Sequence, residues 1–456
     1  MIKKTLSLFL SLLFFISFPL VPFASTVDDI KNIVRSEYVG DIKGDLDKAN
    51  TIEEVMEMLD PYSTYFTASE FDAFLNSVDL TSVGIGVVIE KHEKGILVLQ
   101  VIEGASADLA GVVPGDIITA INGAETATMS VQEASSLILG TSNTSVTLTF
   151  LKTNGSTVTK SLVRKAFSLP NVTTELLYGD VGYITLSSFS NDAASLISKA
   201  VQKLKTEGAT SFILDLQNNG GGYVSAAEQL TGMFSGAIHA YKLKEASKTT
   251  TVRAISQSVK FPTHTKVLIN RYSASASEML AASLLDQQAA VLYGETTYGK
   301  GSMQTFFELN DGGYLKLTVG HFTGPANTTI NKVGVEPNIS TTSNPIYQAH
   351  FDTIVEQYVR YHEKTNLLNV PTSKTFTVNF NGTLASSIDS SAVELVQLGG
   401  QSVDVTIKPN GHQLLVTPVA PLVAGGEYAL IIHPNIKDTN GKMMNKGYYL
   451  HITVAK

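Results

Sequence analysis

The sequence predicts a multidomain α+β protein: a layered α/β core preceded by an inserted β-rich module, with a helical segment at the N-terminus and a β-sandwich at the C-terminus. Three observations carry that reading. Between about 169 and 345, apolar strand-like runs (GYITLSSF, SFILDL, KVLIN, AVLYGE) alternate with helical ones, the order of an α/β layer. From 375 to 456, apolar residues recur at every second position, as in Phe376/Val378/Phe380 and Tyr428/Leu430/Ile432, between Asn-Gly turns at Asn381, Asn410 and Asn440. A chain of 456 residues is also too long for one ordinary core and suggests about three units.

Residues 1–25 read as a signal peptide or anchor, because Lys3 and Lys4 precede an apolar run that reaches Phe23. Cleavage after Ala24 or Ser25 and retention as a single anchor are the two outcomes, and both put the body outside the cytoplasm. Residues 26–78 form a helical N-terminal segment. Thr51 with Glu54 makes a capping box ahead of Val55, Met58 and Leu59; Pro61 ends that helix, and Thr67 with Glu70 opens another carrying Phe71 and Phe74. This segment is too small for a strong core and is expected to pack on a neighbour or a second subunit. In the module at 79–167, VGIGVVIE and GILVLQVIE are strands, SVQEASSLIL is a helix with Ala134, Leu137 and Ile138 inward, and two more strands flank Asn154-Gly155. In the core, 168–345, DAASLISKAVQKLKTEG is a helix with Leu196, Ile197, Ala200, Val201 and Leu204 on one face and Gly208 as its stop. Residues 346–370 are a helical connector and 371–456 the sandwich.

Composition narrows the function. Hydrophobic residues at 43% and charged at 16% are globular values. A net charge of −8 with no long basic run argues against nucleic acid as a partner. The absence of cysteine removes disulfides, thiolate nucleophiles and cysteine metal sites. The nine histidines form no spaced ligand pair, so neither a metal nor another cofactor is called for.

Chemistry concentrates between Asn270 and Gln304. Ser275 sits where a helix should begin, so the Ala276 amide points outward as an oxyanion donor. A second donor can come from the glycines at 220–222, where backbone approaches closely. A serine hydroxyl needs a base, and a lysine serves only when desolvation keeps its amine neutral. Lys300 lies between Gly299 and Gly301 in a tight turn that can drive its stem into a pocket. On an extended segment Gln304 shares its face and can hold the amine without adding charge. Each feature has an ordinary reading too. Ser275 with Glu278 is itself a capping box, a lone lysine is usually solvated, and GGG is usually a turn. Ser273 and Ser277 remain rival nucleophiles on local physics alone.

Residues 59 to 339 resemble the carboxyl-terminal processing peptidases, the tail-specific proteases. The matching pieces occur in family order: LDPYSTYFTASEF (59–71), SVGIGVVI (82–89), AGVVPGDIITAING (110–123), GYITLSSF (182–189), LDLQNNGGG (214–222), SASASE (273–278), GETTYGKGSMQ (294–304) and VGVEPNI (333–339). The resemblance implies an α/β layered serine peptidase core with an inserted PDZ domain. It gives Ser275 the role of nucleophile, Lys300 that of general base and Gln304 that of orienting the lysine, with Gly221, Gly222 and Ala276 as the oxyanion hole. Residues 79–167 are similar to a PDZ domain, in which Gly84, Ile85, Gly86 and Val87 match the loop that binds a terminal carboxylate. The implied substrate is a protein with an exposed apolar C-terminus.

The chain departs from the family pattern in three places. Gln217 and Gly220 stand where many relatives have arginine and proline, which implies a differently organised oxyanion loop. LILG near Leu139 lacks a basic residue that links peptide binding to activation in many relatives. The tail resembles Ig-like modules of Gram-positive cell-surface proteins, which implies wall attachment, spacing or dimer contact. A homodimer is the assembly such relatives imply. The expectation is therefore an exported, secreted or cell-surface serine endopeptidase of a Gram-positive bacterium. Its rivals are a non-catalytic PDZ adaptor or holdase and a structural surface protein.

Overall fold

A computed structural model describes residues 25–456, so the leader or anchor at 1–25 lies, apart from Ser25, outside the described residues. Among the described residues no helix is long and apolar enough to cross a membrane. The chain divides into two units.

The first unit comprises 25–68 together with 304–318. Its helices are Thr26–Glu37 and Ile52–Glu57, the second opened by the predicted Thr51/Glu54 capping box. The segment does not rely on helices alone. The strand Thr64–Phe66 pairs antiparallel with Tyr314, Leu315 and Lys316. Ile30, Val34, Val55 and Leu59 bury against Leu309, Leu315 and Leu317. The core that residues 26–78 cannot build alone is thus completed by a stretch far along the chain.

The second unit comprises 69–303 and 319–456. Its centre is a six-stranded sheet in the order Val172–Leu177, Val181–Leu186, Ser211–Asp215, Lys266–Ile269, Val291–Gly294 and Ile339–Ser340. All neighbours are parallel except the first pair. The middle strands are apolar on both faces because both are covered. Phe212, Leu214, Val267 and Ile269 pack with the helices Ala193–Thr206, Val224–Thr231 and Ala276–Asp286. Ile213, Leu268 and Tyr293 face Ile346 and Ala349 of the helix Pro345–Glu356. Leu196, expected inward, is only half-buried. Two strands that the sequence reading did not identify, His239–Lys244 and Thr249–Arg253, form a hairpin beside the core.

In the β-rich module the strand Val87–His92 lies at the edge of a six-stranded sheet, and the helix Val131–Ile138 packs near it. Ala134 and Ile138 are buried as expected, but Leu137 is 39% exposed. A short helix has room for only one inward stripe, and Leu137 falls outside it.

The connector is helical only over Pro345–Glu356. His362–Glu363 and Leu367–Val370 are strands that pair parallel with Tyr448–Val454. The strand Glu427–Ile432 is buried along its whole length. Tyr428, Leu430 and Ile432 enter the sandwich core, while Ala429 and Ile431 pack with Phe351 and Ile354 of the connector helix. Polar groups reinforce that junction. His350 is fully buried; its Nε2 lies 2.8 Å from the Tyr178 carbonyl and its Nδ1 accepts the Gly399 N–H at 2.9 Å. The Tyr178 hydroxyl donates to Glu394, whose other partner is His433.

Candidate active site

Parallel strands leave their carboxyl ends open for a site, because the chain exits there into loops. Here three neighbouring strands do so in register. Ser211–Asp215 leads into the glycine loop, Lys266–Ile269 into the serine loop, and Val291–Gly294 toward the lysine turn.

Ser275 precedes the helix Ala276–Asp286 with φ +56° and ψ −111°. That is a strained conformation for a residue with a Cβ, costing about 1–3 kcal/mol, and it persists only if the surroundings enforce it. The enforcing group is Glu278, which is fully buried in the first helical turn. Its Oε2 accepts the Ser275 N–H and the Lys300 N–H, each at 2.8 Å. Its Oε1 accepts the Thr297 hydroxyl and the Gly299 N–H, each at 2.6 Å. The backbone nitrogens of Ser275 and Lys300 therefore lie within twice 2.8 Å of each other. One carboxylate ties the Ser275 elbow to the turn of Lys300. The sequence reading saw Glu278 only as a helix cap; its other three partners lie 19 to 22 positions away and carry no local signal.

The serines separate by environment. Ser273 is fully buried and donates its hydroxyl to the Leu216 carbonyl at 2.8 Å. Ser277 is fully buried and donates to the Asn219 carbonyl at 2.8 Å. Ser275 and Lys300 are half-buried.

The glycine loop sits against the elbow. A Cβ on Gly221 would meet the Ala274 carbonyl oxygen at 2.8 Å and the Ala276 nitrogen at 2.9 Å, and Gly221 has φ +103°. Only glycine fits there. The Gly221 N–H is donated to the Asn219 side chain at 2.9 Å, so it is occupied in this structure. Gly222 and Ala276 are the remaining predicted donors, and Ala276 heads its helix, where N–H groups have no intrahelical acceptor. Asn219, fully buried, is the hub of the loop: its amide also donates to the Leu186 carbonyl, and its own carbonyl takes the Ala274 N–H. Asn218 and Asn270 exchange two 3.0 Å hydrogen bonds across the glycine and serine loops. These asparagines escaped sequence reading because their partners lie more than 30 residues away.

The unusual Gln217 has a definite role. Its backbone and side-chain amides both donate to Asp215, which also accepts the Tyr183 hydroxyl. Burial pushes the Asp215 carboxyl up, and these donors oppose that push. Gly220 has open space around a would-be Cβ. Asp286 accepts the Ala326 N–H and the Thr328 hydroxyl and so anchors a turn. Gln304 falls in the other unit, where its amide donates to the Thr318 hydroxyl at 3.1 Å.

In the β-rich module, Gly84 pairs with Lys165 and Gly86 has φ +77°. The carbonyls of Ile85 and Gly86 accept the Ala107 and Ile102 N–H groups, which fixes the loop's course. The edge strand begins at Val87, so Gly84 to Val87 stand at the head of a strand open to a further strand. No basic residue stands at Leu139, but Arg164 binds the Leu137 and Ile138 carbonyls and holds the end of the neighbouring helix.

Residues 180–341 match Peptidase family S41, 97–152 a PDZ domain and 361–453 a bacterial Ig-like domain. The carboxy-terminal processing protease CtpA of Bacillus subtilis (strain 168) is 32% identical over 310 residues, covering 67% of this chain and 66% of that protein. A probable CtpA-like serine protease of Staphylococcus aureus (strain N315) is 32% identical over 327 residues, covering 71% and 65%. The match thus spans just under two thirds of the length of these curated relatives. Among solved structures, the photosystem II D1 C-terminal processing protease aligns with a TM-score of 0.47 at 24% identity, covering 73% of this chain and 96% of that one.

Proposed function

The chain belongs with the carboxy-terminal processing proteases of peptidase family S41, and from that premise we propose that it is an exported serine endopeptidase with a Ser275–Lys300 dyad. The observation that carries the reading is the Glu278 carboxylate, which binds the backbone of both residues at 2.8 Å. The burial of Ser273 and Ser277 supports Ser275 as the nucleophile.

In this mechanism the neutral Lys300 amine takes the Ser275 proton as Oγ attacks the peptide carbonyl carbon. The Gly222 and Ala276 amides stabilise the oxyanion, and Gly221 supports the loop from which Gly222 points. The C–N bond breaks, Lys300 protonates the leaving amine, and an acyl-enzyme ester remains. Lys300 then deprotonates a water that attacks the ester carbonyl; the C–Oγ bond breaks, Lys300 returns the proton to Ser275 Oγ, and the new C-terminal acid leaves. Gln304 orients the amine, a role that rests on the family resemblance. The PDZ domain captures an apolar substrate C-terminus at Gly84, Ile85, Gly86 and Val87. The leader places the enzyme outside the cytoplasm, and the Ig-like domain serves cell-wall contact or assembly as a homodimer.

A serine-reactive fluorophosphonate with peptide mapping tests the chemistry. Label is expected on Ser275 alone, lost in Ser275→Ala and Lys300→Ala, with melting temperatures unchanged. Labelling of Ser273 or Ser277, or retained cleavage in either variant, would reject the dyad. Peptide binding without any acylation would instead favour a PDZ adaptor.

A further inference from the structure

Three large apolar side chains stand exposed on segments next to Ser275 or Lys300 in sequence or bonded to the turn of Lys300, each on a different loop: Tyr272 at 61%, Tyr298 at 59% and Val333 at 62%. Single exposed apolar residues are ordinary, but three on backbone segments that are bonded to one another beside Ser275 and Lys300 are not scattered. Their backbones are tied together. The Tyr298 N–H donates to the Ser273 carbonyl at 3.1 Å, next to Tyr272. The Lys332 N–H donates to the Gly299 carbonyl at 2.7 Å, next to Val333. Thr297 and Val335 exchange bonds that fix the same two segments, since Thr297 N–H reaches the Val335 carbonyl and Val335 N–H the Thr297 hydroxyl. The nearest charge on the serine loop is neutralised, because Arg271 makes two bonds to Glu295. The three side chains thus stand on backbone segments held to one another, and aromatic groups on a fixed backbone offer contact area at small entropic cost.

Resting on the peptidase reading above, we propose that Tyr272, Tyr298 and Val333 form a specificity subsite for a large apolar side chain beside the scissile bond. The occupant lies on the leaving-amine side. Two of the three residues belong to the turn of Lys300 or the turn bonded to it, and Lys300 is the group that must reach the departing nitrogen. Docking a C-terminus elsewhere brings a substrate close but does not align one particular peptide bond over Ser275; a local contact supplies that alignment.

The test uses the full chain and quenched peptides that share one apolar C-terminal tail and differ only beside the cut. Phenylalanine or leucine immediately after the cut is expected to exceed alanine by roughly 10- to 100-fold in kcat/KM. In Tyr272→Ser and Tyr298→Ser that ratio should fall several-fold, while fluorophosphonate labelling of Ser275 persists. If Tyr298→Ser fails to fold, Val333→Ser carries the same measurement from a neighbouring exposed position. An unchanged ratio in labelled, active variants would overturn the subsite alone, as would a change confined to the residue before the cut. Absence of labelling and cleavage in the unaltered protein would sink the peptidase reading, and the subsite with it.

Discussion

Glu278→Gln probes the site's central tie with the smallest change in shape. Glutamine retains one acceptor oxygen and replaces the other with an NH2 group. Glu278 receives four donors: the Ser275, Gly299 and Lys300 N–H groups and the Thr297 hydroxyl. In the best arrangement the new NH2 faces Thr297 and Gly299. The hydroxyl can then turn to accept, but the Gly299 N–H meets another donor. One buried donor left unmet costs about 1–3 kcal/mol. If that cost falls on alignment of the dyad, kcat/KM drops roughly 5- to 150-fold at 1.4 kcal/mol per tenfold. The assay pairs cleavage of a tail-bearing protein with a thermal melt and the rate of fluorophosphonate labelling. Cleavage and labelling should slow together, with most of the protein folded at the assay temperature. Parental rates, or a loss equal to the unfolded fraction, would refute the argument that this carboxylate couples nucleophile and base.

Two further outcomes follow from local geometry. Gly220→Ala should leave cleavage and melting near parental values, since nothing lies within 4 Å of the added carbon. Gly222→Ala should lower both, because the carbon would fall 2.3 Å from the Phe189 carbonyl oxygen; parallel behaviour of the two variants would contradict the packing described. The third outcome concerns pH. Burial pushes the His350 imidazole down to about 4, against about 6.5 when unfolded. Between those values the unfolded chain binds the extra proton, so stability falls as pH drops through the window, by about 3 kcal/mol at its lower end. His350→Gln should flatten the decline in melting temperature between pH 7 and 4.5, and an unaltered slope would assign the decline to other groups.

Much of this was legible in the sequence where the signal is local. SASASE and YGKG mark the two halves of the proposed dyad because each sits in a turn with its own glycines or helix start. The α/β layering was visible because the middle strands are apolar throughout, as burial on both faces requires. What escaped depends on contacts distant in sequence. Asn219 reads as an ordinary turn residue, yet it gathers partners from Leu186 to Ser277. Strand Thr64–Phe66 is invisible without its partner some 250 positions away. The connector was read as helical to its end, although Leu367–Val370 carries two leucines and a valine that suit a strand once Tyr448–Val454 is beside it.

The sandwich's inner strand, Glu427–Ile432, shows no watery face at all. A chain cut short before this module would therefore strip the roof from Phe351 and Ile354 and leave the His350 imidazole without the Gly399 amide. Poor behaviour of such a truncate would report bare hydrocarbon rather than a lost cell-wall grip. The informative experiment keeps the module in place and alters only its outward surface.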